Sequence, residues 1–97
     1  MSVAEEFRSR GLVRGGILVL TAPEALAMIH RAQELGVEIL GIDSFWTTDD
    51  AIEPDMDSTL DLGSGGPTSW ADAAEFVGSR ADAGLMFEVI LREDEVA

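Results

Sequence analysis

The sequence contains no cysteine, lysine, asparagine or tyrosine. Without cysteine there is no disulfide and no cysteine-ligated zinc or iron–sulfur site, which suits a reducing compartment. Without lysine the glycine-rich stretch LGSGGPTSW (62–70) lacks the basic side chain of a P-loop. Long apolar runs are also absent: residues 17–20 are too few to span a bilayer, and the first residues lack a signal-peptide pattern. We therefore expect a cytoplasmic protein.

Positive charge is scarce as well. Nineteen acids face six arginines, which gives a net charge of −13 over 97 residues. Between Ala32 and Ser79 there are eleven acids and no base. Such a field repels nucleic acid and anionic membranes, whereas it favours a basic protein partner or simply keeps the chain in solution. The length predicts one domain, 1–97, with a globular hydrophobic content of 46%.

Apolar periodicity divides the chain into strands and helices. The expected strands are 17–20, 37–46, 55–62 and 85–93. The expected main helices start at capping boxes, Thr21 with Glu24 and Ser69 with Asp72, and the first ends at Gly36. Residues 1–14 are expected as an N-terminal arm or a short helix, in which Val3 and Phe7, four residues apart, would share one face. Residues 94–97 are expected as a frayed tail.

This order of elements, β-α-β-β-α-β, predicts an α+β fold. Both helices are expected on one face of a four-stranded, largely antiparallel sheet, a two-layer sandwich of the ferredoxin-like or split βαβ type. A different strand order with the same elements also fits the pattern. Gly41, inside the second strand, indicates a bulge or a close approach by another group.

The acidic stretch 49–66 carries six carboxylates and no base. It does not fit an EF-hand, because Leu60 and Gly66 stand where that loop requires glycine and glutamate. Residues 47–54 are expected as a loop. From Met56 the pattern alternates, so a strand is expected to turn Met56, Ser58, Leu60 and Leu62 inward and its aspartates outward.

Candidate functional residues cluster around this stretch. Trp46 ends a strand beside carboxylates, which is typical of a protein-binding hot spot, although it could instead cap the edge of the core. The only histidine, His30, is expected on the solvent side of its helix, and no acid, base and nucleophile converge. We therefore expect neither an enzyme nor a cofactor. The candidate partner-binding residues are Asp43, Trp46, Asp49, Asp50, Glu53, Asp55 and Asp57.

Residues 18–77 also carry a resemblance. The run LTAPEALAMIHRAQELGVEILGID, a proline-containing acidic segment and an SW before the second helix resemble small immunity proteins of bacterial polymorphic-toxin systems. Those families often have an aromatic after the proline, where this chain has DMDSTLDL. The resemblance implies a non-enzymatic, acidic inhibitor that neutralises a cognate toxin domain, often a basic nuclease.

Other readings stay open at this point. A small-ligand or divalent-metal-binding regulatory domain is the alternative function, with Asp55, Asp57 and Asp61 on one strand face as an improvised metal site. A homodimer extended through strand 85–93 is an alternative association, if that strand lies at the edge of the sheet.

Overall fold

A computed structural model of the chain describes residues 2–48, 51–63 and 65–92. The helices are α1 (Val3–Phe7), α2 (Ala22–Leu35) and α3 (Ser69–Ser79), with 3₁₀ turns at Arg8–Arg10 and Ala81–Ala83. The strands are β1 (Leu12–Arg14), β2 (Ile17–Val19), β3 (Ile39–Thr47), β4 (Ile52–Asp61) and β5 (Met86–Leu91). None of the described helices is long and apolar enough to cross a membrane.

The architecture is α+β, as predicted: helices pack against sheet. β3 lies between β4 and β5 in a three-stranded antiparallel sheet, and β1 pairs with β2 in a separate hairpin. The hairpin joins the sheet at one point, because Leu20 forms an antiparallel bridge with Phe87. The predicted four-stranded sheet is therefore continuous over three strands only.

This order creates two split βαβ units. α2 connects β2 to β3 with β5 between them, and α3 connects β4 to β5 with β3 between them. It also leaves β4 at the outer edge of the three-stranded sheet. β5, expected as an edge for dimer formation, instead has Leu20 beside it.

The core forms where α2 and α3 cover one face of the sheet. Its buried apolar side chains are Val3, Phe7, Leu20, Ala22, Ala25, Met28, Ile29, Ile39, Ile42, Ala73, Phe76, Val77, Leu85, Phe87 and Val89. Helical spacing predicts one apolar face of α2, made of Ala25, Met28, Ile29, Ala32 and Leu35. The first four are buried, but the prediction is wrong for Leu35, which is 48% exposed at the last turn of the helix. The helix then ends at Gly36, as expected, with a left-handed φ of 71°.

Both predicted capping boxes are wrong. Thr21 precedes α2 but makes no side-chain cap hydrogen bond, and Glu24 instead forms an ion pair with Arg10 at 3.1 Å. Ser69 is the first residue of α3 rather than its cap, and its buried Oγ accepts a hydrogen bond from the Ile39 amide at 3.3 Å. The side chains of Glu24 and Ser69 thus make tertiary contacts, which the local spacing of residues does not reveal.

Both features predicted for Gly41, a bulge and a close approach by another group, are confirmed. The register between β3 and β5 shifts between Ile39 and Gly41, which marks a bulge. On the other side, a Cβ at Gly41 would lie only 2.6 Å from the carbonyl oxygen of Leu60 in β4. The absence of a side chain is what lets β4 pair closely with β3 at this position.

Two buried serines in this fold should respond oppositely to alanine. Ser44 in β3 is fully buried, and its hydroxyl has no hydrogen-bond partner among the described groups, whereas the Ser69 hydroxyl has one. Because an unsatisfied buried polar group is costly, Ser44→Ala should raise the free energy of unfolding by about 1 kcal/mol. Ser69→Ala should lower it by about 1 kcal/mol. Urea denaturation of both variants checks this, and a loss at Ser44 equal to that at Ser69 contradicts it.

Candidate protein-interaction surface

The hairpin formed by β3 and β4 carries most of the predicted partner-binding residues. It is closed by the Thr48 amide, which donates to the Ala51 carbonyl at 2.8 Å. Trp46 stands directly opposite Glu53 in the register of the two strands. The indole is 44% exposed, and a Cβ at Gly84 would lie 4.0 Å from its Cζ3. Trp46 therefore rests partly on the segment after α3 and presents the rest of its ring to solvent.

Next to this pair, β4 bulges. Asp43 pairs with Thr59 and Phe45 with Pro54, so the four residues 55–58 lie opposite the single residue Ser44. The bulge is tied locally by the Asp57 amide, which donates to Oδ1 of Asp55 at 3.2 Å. Between them Met56 is 77% exposed. A large apolar side chain is thus held outward between two carboxylates.

The bulge corrects two sequence predictions. Residues 52–54, expected in a loop, belong to β4. Met56, expected to face inward, faces solvent, because the extra residues shift the alternation of the strand. From Ser58 to Leu62 the predicted alternation holds, with half-buried and exposed residues in turn. We call Trp46, Glu53, Asp55, Met56 and Asp57 the hairpin surface.

The arginines that form ion pairs lie away from the hairpin surface. Among the described residues, these arginine pairs join Arg10 to Glu24, Arg31 to Glu6 and Glu34, and Arg92 to Glu38, and His30 pairs with Glu34. None of these acids belongs to β4. Within the described chain, the carboxylates of the hairpin surface therefore form no ion pair, and their charge is available to an approaching partner.

Asp43 lies apart from the other predicted site residues. It is three positions from Trp46 in the same strand, so the two side chains point to opposite faces of the sheet. Asp43 stands opposite Glu88 of β5, a residue that sequence reasoning left without a role. Burial raises the pKa of Glu88 above its ordinary value, and the nearby charge of Asp43 raises it further. This pairing depends on the strand order, which the sequence does not specify.

The raised pKa of Glu88 should make stability depend on pH. Because the folded state raises the pKa of Glu88, it binds that proton more tightly than the unfolded chain. The charged carboxylate of Glu88 therefore destabilises the fold at pH values above its folded-state pKa. This free-energy cost disappears as the pH falls from that pKa to the ordinary pKa of glutamate. Glu88→Gln should gain about 0.2–1 kcal/mol at neutral pH and little in acid.

Urea denaturation across this pH range measures the effect. Asp82→Asn is the matched control, since it removes one exposed acid in the 3₁₀ turn after α3. It changes the net charge equally but lies outside the sheet pairing. A Glu88→Gln variant that is less stable than the wild type at neutral pH contradicts the account.

The remaining candidates from the sequence are Asp49, Asp50, the metal site and His30. Asp49 and Asp50 lie outside the described residues, as does the predicted tail 94–97. In the ranges that are described, no three histidine or carboxylate side chains converge on a point that could hold a metal ion. His30 is exposed on α2, as predicted, with Nε2 3.7 Å from Oε2 of Glu34.

A groove between β4 and α3 was also missed by sequence reasoning. It has a volume of about 490 Å³, and its lining residues are Leu60, Leu62, Asp72, Glu75, Phe76, Ser79 and Arg80. The Arg80 guanidinium lies 4.0 Å from the centre of the Phe76 ring and donates to the Phe76 carbonyl and Ser79 Oγ. The helical spacing of α3 does not predict this groove, because the position of β4 beside the helix is known only from the fold.

Comparison with known proteins gives no family assignment. The sequence matches no protein-family model, and a search of the curated proteins finds no match.

Proposed function

We propose that this protein is an acidic binding module that neutralises a basic protein partner by stoichiometric binding, in the manner of a toxin-immunity protein. The observation that carries the proposal is the hairpin surface. Two exposed apolar side chains, Trp46 and Met56, stand among the carboxylates of Glu53, Asp55 and Asp57 on one hairpin. Protein-binding hot spots combine an aromatic anchor with charge that steers the partner.

The physical costs of this arrangement support the proposal. An exposed methionine and a half-exposed tryptophan gain little for folding, because most of their apolar surface stays in water. Unpaired carboxylates repel one another and slightly destabilise the fold. A basic partner would remove both costs, since its apolar residues would cover Trp46 and Met56 and its cations would neutralise the acids.

Co-expression tests the proposal. The partner to use is the C-terminal domain of the protein encoded next to this chain's gene, expressed at a level that stops growth. Wild-type chain should restore growth and co-purify with that domain as a one-to-one complex. The triple variant Glu53→Gln, Asp55→Asn, Asp57→Asn should not restore growth at the same expression level.

A charge-matched control separates the surface from total charge. Glu6→Gln, Glu34→Gln and Asp82→Asn remove three acids outside the hairpin surface, and this variant should protect as well as the wild type. Failure of the wild-type chain to restore growth contradicts neutralisation. Equal protection by both triple variants contradicts the role of the hairpin surface.

A further inference from the structure

The outer edge of β4 offers free main-chain groups over a short segment. The Leu62 amide donates to the Leu40 carbonyl at 2.9 Å, and Leu60 pairs with Ile42. Since main-chain groups alternate in direction along a strand, those of Thr59 and Asp61 point away from β3. Both residues are exposed, and β4 is the edge strand of the described three-stranded sheet.

The rest of this edge is blocked. Pro54 has no amide hydrogen to donate. The bulge at residues 55–58 interrupts the regular spacing that a neighbouring strand would need. Bulges, prolines and charges are devices that protect edge strands from uncontrolled pairing. Between the bulge and the end of β4, the stretch Thr59–Asp61 is left open, so an added strand pairs over a few residues.

The groove between β4 and α3 lies directly beside this open stretch. Leu60 of β4 and Leu62, which directly follows this strand, form one wall, and Phe76 of α3 contributes to the apolar surface of the groove. In a strand added at Thr59–Asp61, every second side chain would point from the face of the sheet that the helices cover, toward this groove. A partner segment could therefore bind by its main chain to β4 and by an apolar side chain to the groove.

Charge selects the kind of segment. Asp72 and Glu75 line the groove, and Asp61 is exposed at the edge itself. The one base in the groove, Arg80, is held against Phe76 and Ser79. A second copy of this chain would bring another acidic strand to the same edge, which like charges disfavour. An extended segment with basic and apolar residues is the complementary occupant.

We propose that Thr59–Asp61 is a docking strand for an extended basic segment of the protein partner, whose apolar side chain sits on Leu60, Leu62 and Phe76. The proposal rests on the proposed function, because it names how the basic partner is held. It differs from that function in its site, which is the open edge beside α3 rather than the hairpin surface.

A peptide titration tests the docking strand. The probe is a fluorescent seven-residue peptide of alternating arginine and valine. A second peptide with the same sequence is N-methylated at the amides that would face β4, so it loses these hydrogen-bond donors but keeps its charge. The first should bind the wild-type chain, and the second at least about tenfold more weakly, because the strand hydrogen bonds are lost. A peptide of alternating glutamate and valine should not bind.

Protein variants give the complementary arm. Thr59→Pro removes the outward amide of β4 at a position where an edge strand tolerates proline, and Thr59→Val keeps that amide. The proline variant should bind the arginine peptide at least about tenfold more weakly, and the valine variant like the wild type. Circular dichroism establishes that both variants fold, and the methylated peptide carries the test without any change to the protein.

Three results would overturn the docking strand. One is equal binding of the plain and methylated peptides; another is the absence of peptide binding to the wild type. The third is a wild-type dimer in sedimentation that Thr59→Pro dissociates, since the occupant would then be a second copy. The proposed function is judged separately: if the neighbouring-gene domain loses affinity for the hairpin triple variant but not for Thr59→Pro, that function stands and the docking strand fails.

Discussion

Replacing Phe87 with alanine should lower the free energy of unfolding by about 3–5 kcal/mol, the usual cost of removing a buried phenylalanine. Phe87 is fully buried in the core and lies opposite Ser44 in the sheet. Its amide and carbonyl also exchange hydrogen bonds of 2.8 Å with Leu20, the one point where the hairpin joins the sheet. The cavity would therefore open where β3, β5 and the hairpin meet.

The neighbouring residue supplies the control for this prediction. Met86 precedes Phe87 in β5, is only half-buried and faces the other side of the sheet. Met86→Ala should cost clearly less in urea denaturation at 25 °C. If the stability of the domain lies near the lower end of the typical range of about 5–15 kcal/mol, the Phe87 variant should approach unfolding. Equal losses for the two variants would contradict the assigned core face of β5.

Replacing Trp46 with alanine should weaken partner binding about 30-fold, because hot-spot anchors typically contribute about 2 kcal/mol or more. The exposed part of the indole stands opposite Glu53 and near the bulge that carries Met56. Burial of this ring by a partner gains apolar contact that the free protein lacks. Calorimetric titration with the neighbouring-gene domain measures the change.

Leu35 provides a matched control for Trp46. Its side chain is 48% exposed, close to the 44% of Trp46, but it lies at the end of α2 rather than on the hairpin. Leu35→Ala should leave the affinity unchanged within about twofold, since surface changes away from an interface are near neutral. Equal weakening by both variants would show that exposed apolar surface in general, and not the hairpin, mediates binding.

Local patterns were sufficient to predict much of the fold. Val3 and Phe7, four residues apart, predicted a short helix with one buried face, and both side chains are buried in α1. Gly36 predicted the end of α2, and Gly41 predicted a bulge with a close contact. In each case the structural feature depends on residues within one helical turn or on a single residue, so the local sequence is enough to predict it.

Features that depend on distant residues were not predictable. The first hairpin was not predicted, because residues 1–14 were expected as an arm or short helix; its turn does have a local signal, since Gly15 and Gly16 lie at positive φ between β1 and β2. By contrast, the pairing of Asp43 with Glu88 and the groove beside Phe76 follow from the strand order. Met56 is exposed because of extra residues in the register, which regular alternation does not indicate.

The dependence of affinity on salt tests the central claim most directly. Titration of the neighbouring-gene domain at about 0.05 M and about 0.5 M salt compares the wild type with the variant Glu53→Gln, Asp55→Asn, Asp57→Asn. The account predicts that the wild type binds at least about tenfold more weakly at high salt, whereas the variant binds weakly at both and responds little. The same affinity for both proteins, or a wild-type affinity that salt does not change, would contradict the proposal that the acidic hairpin binds a basic partner.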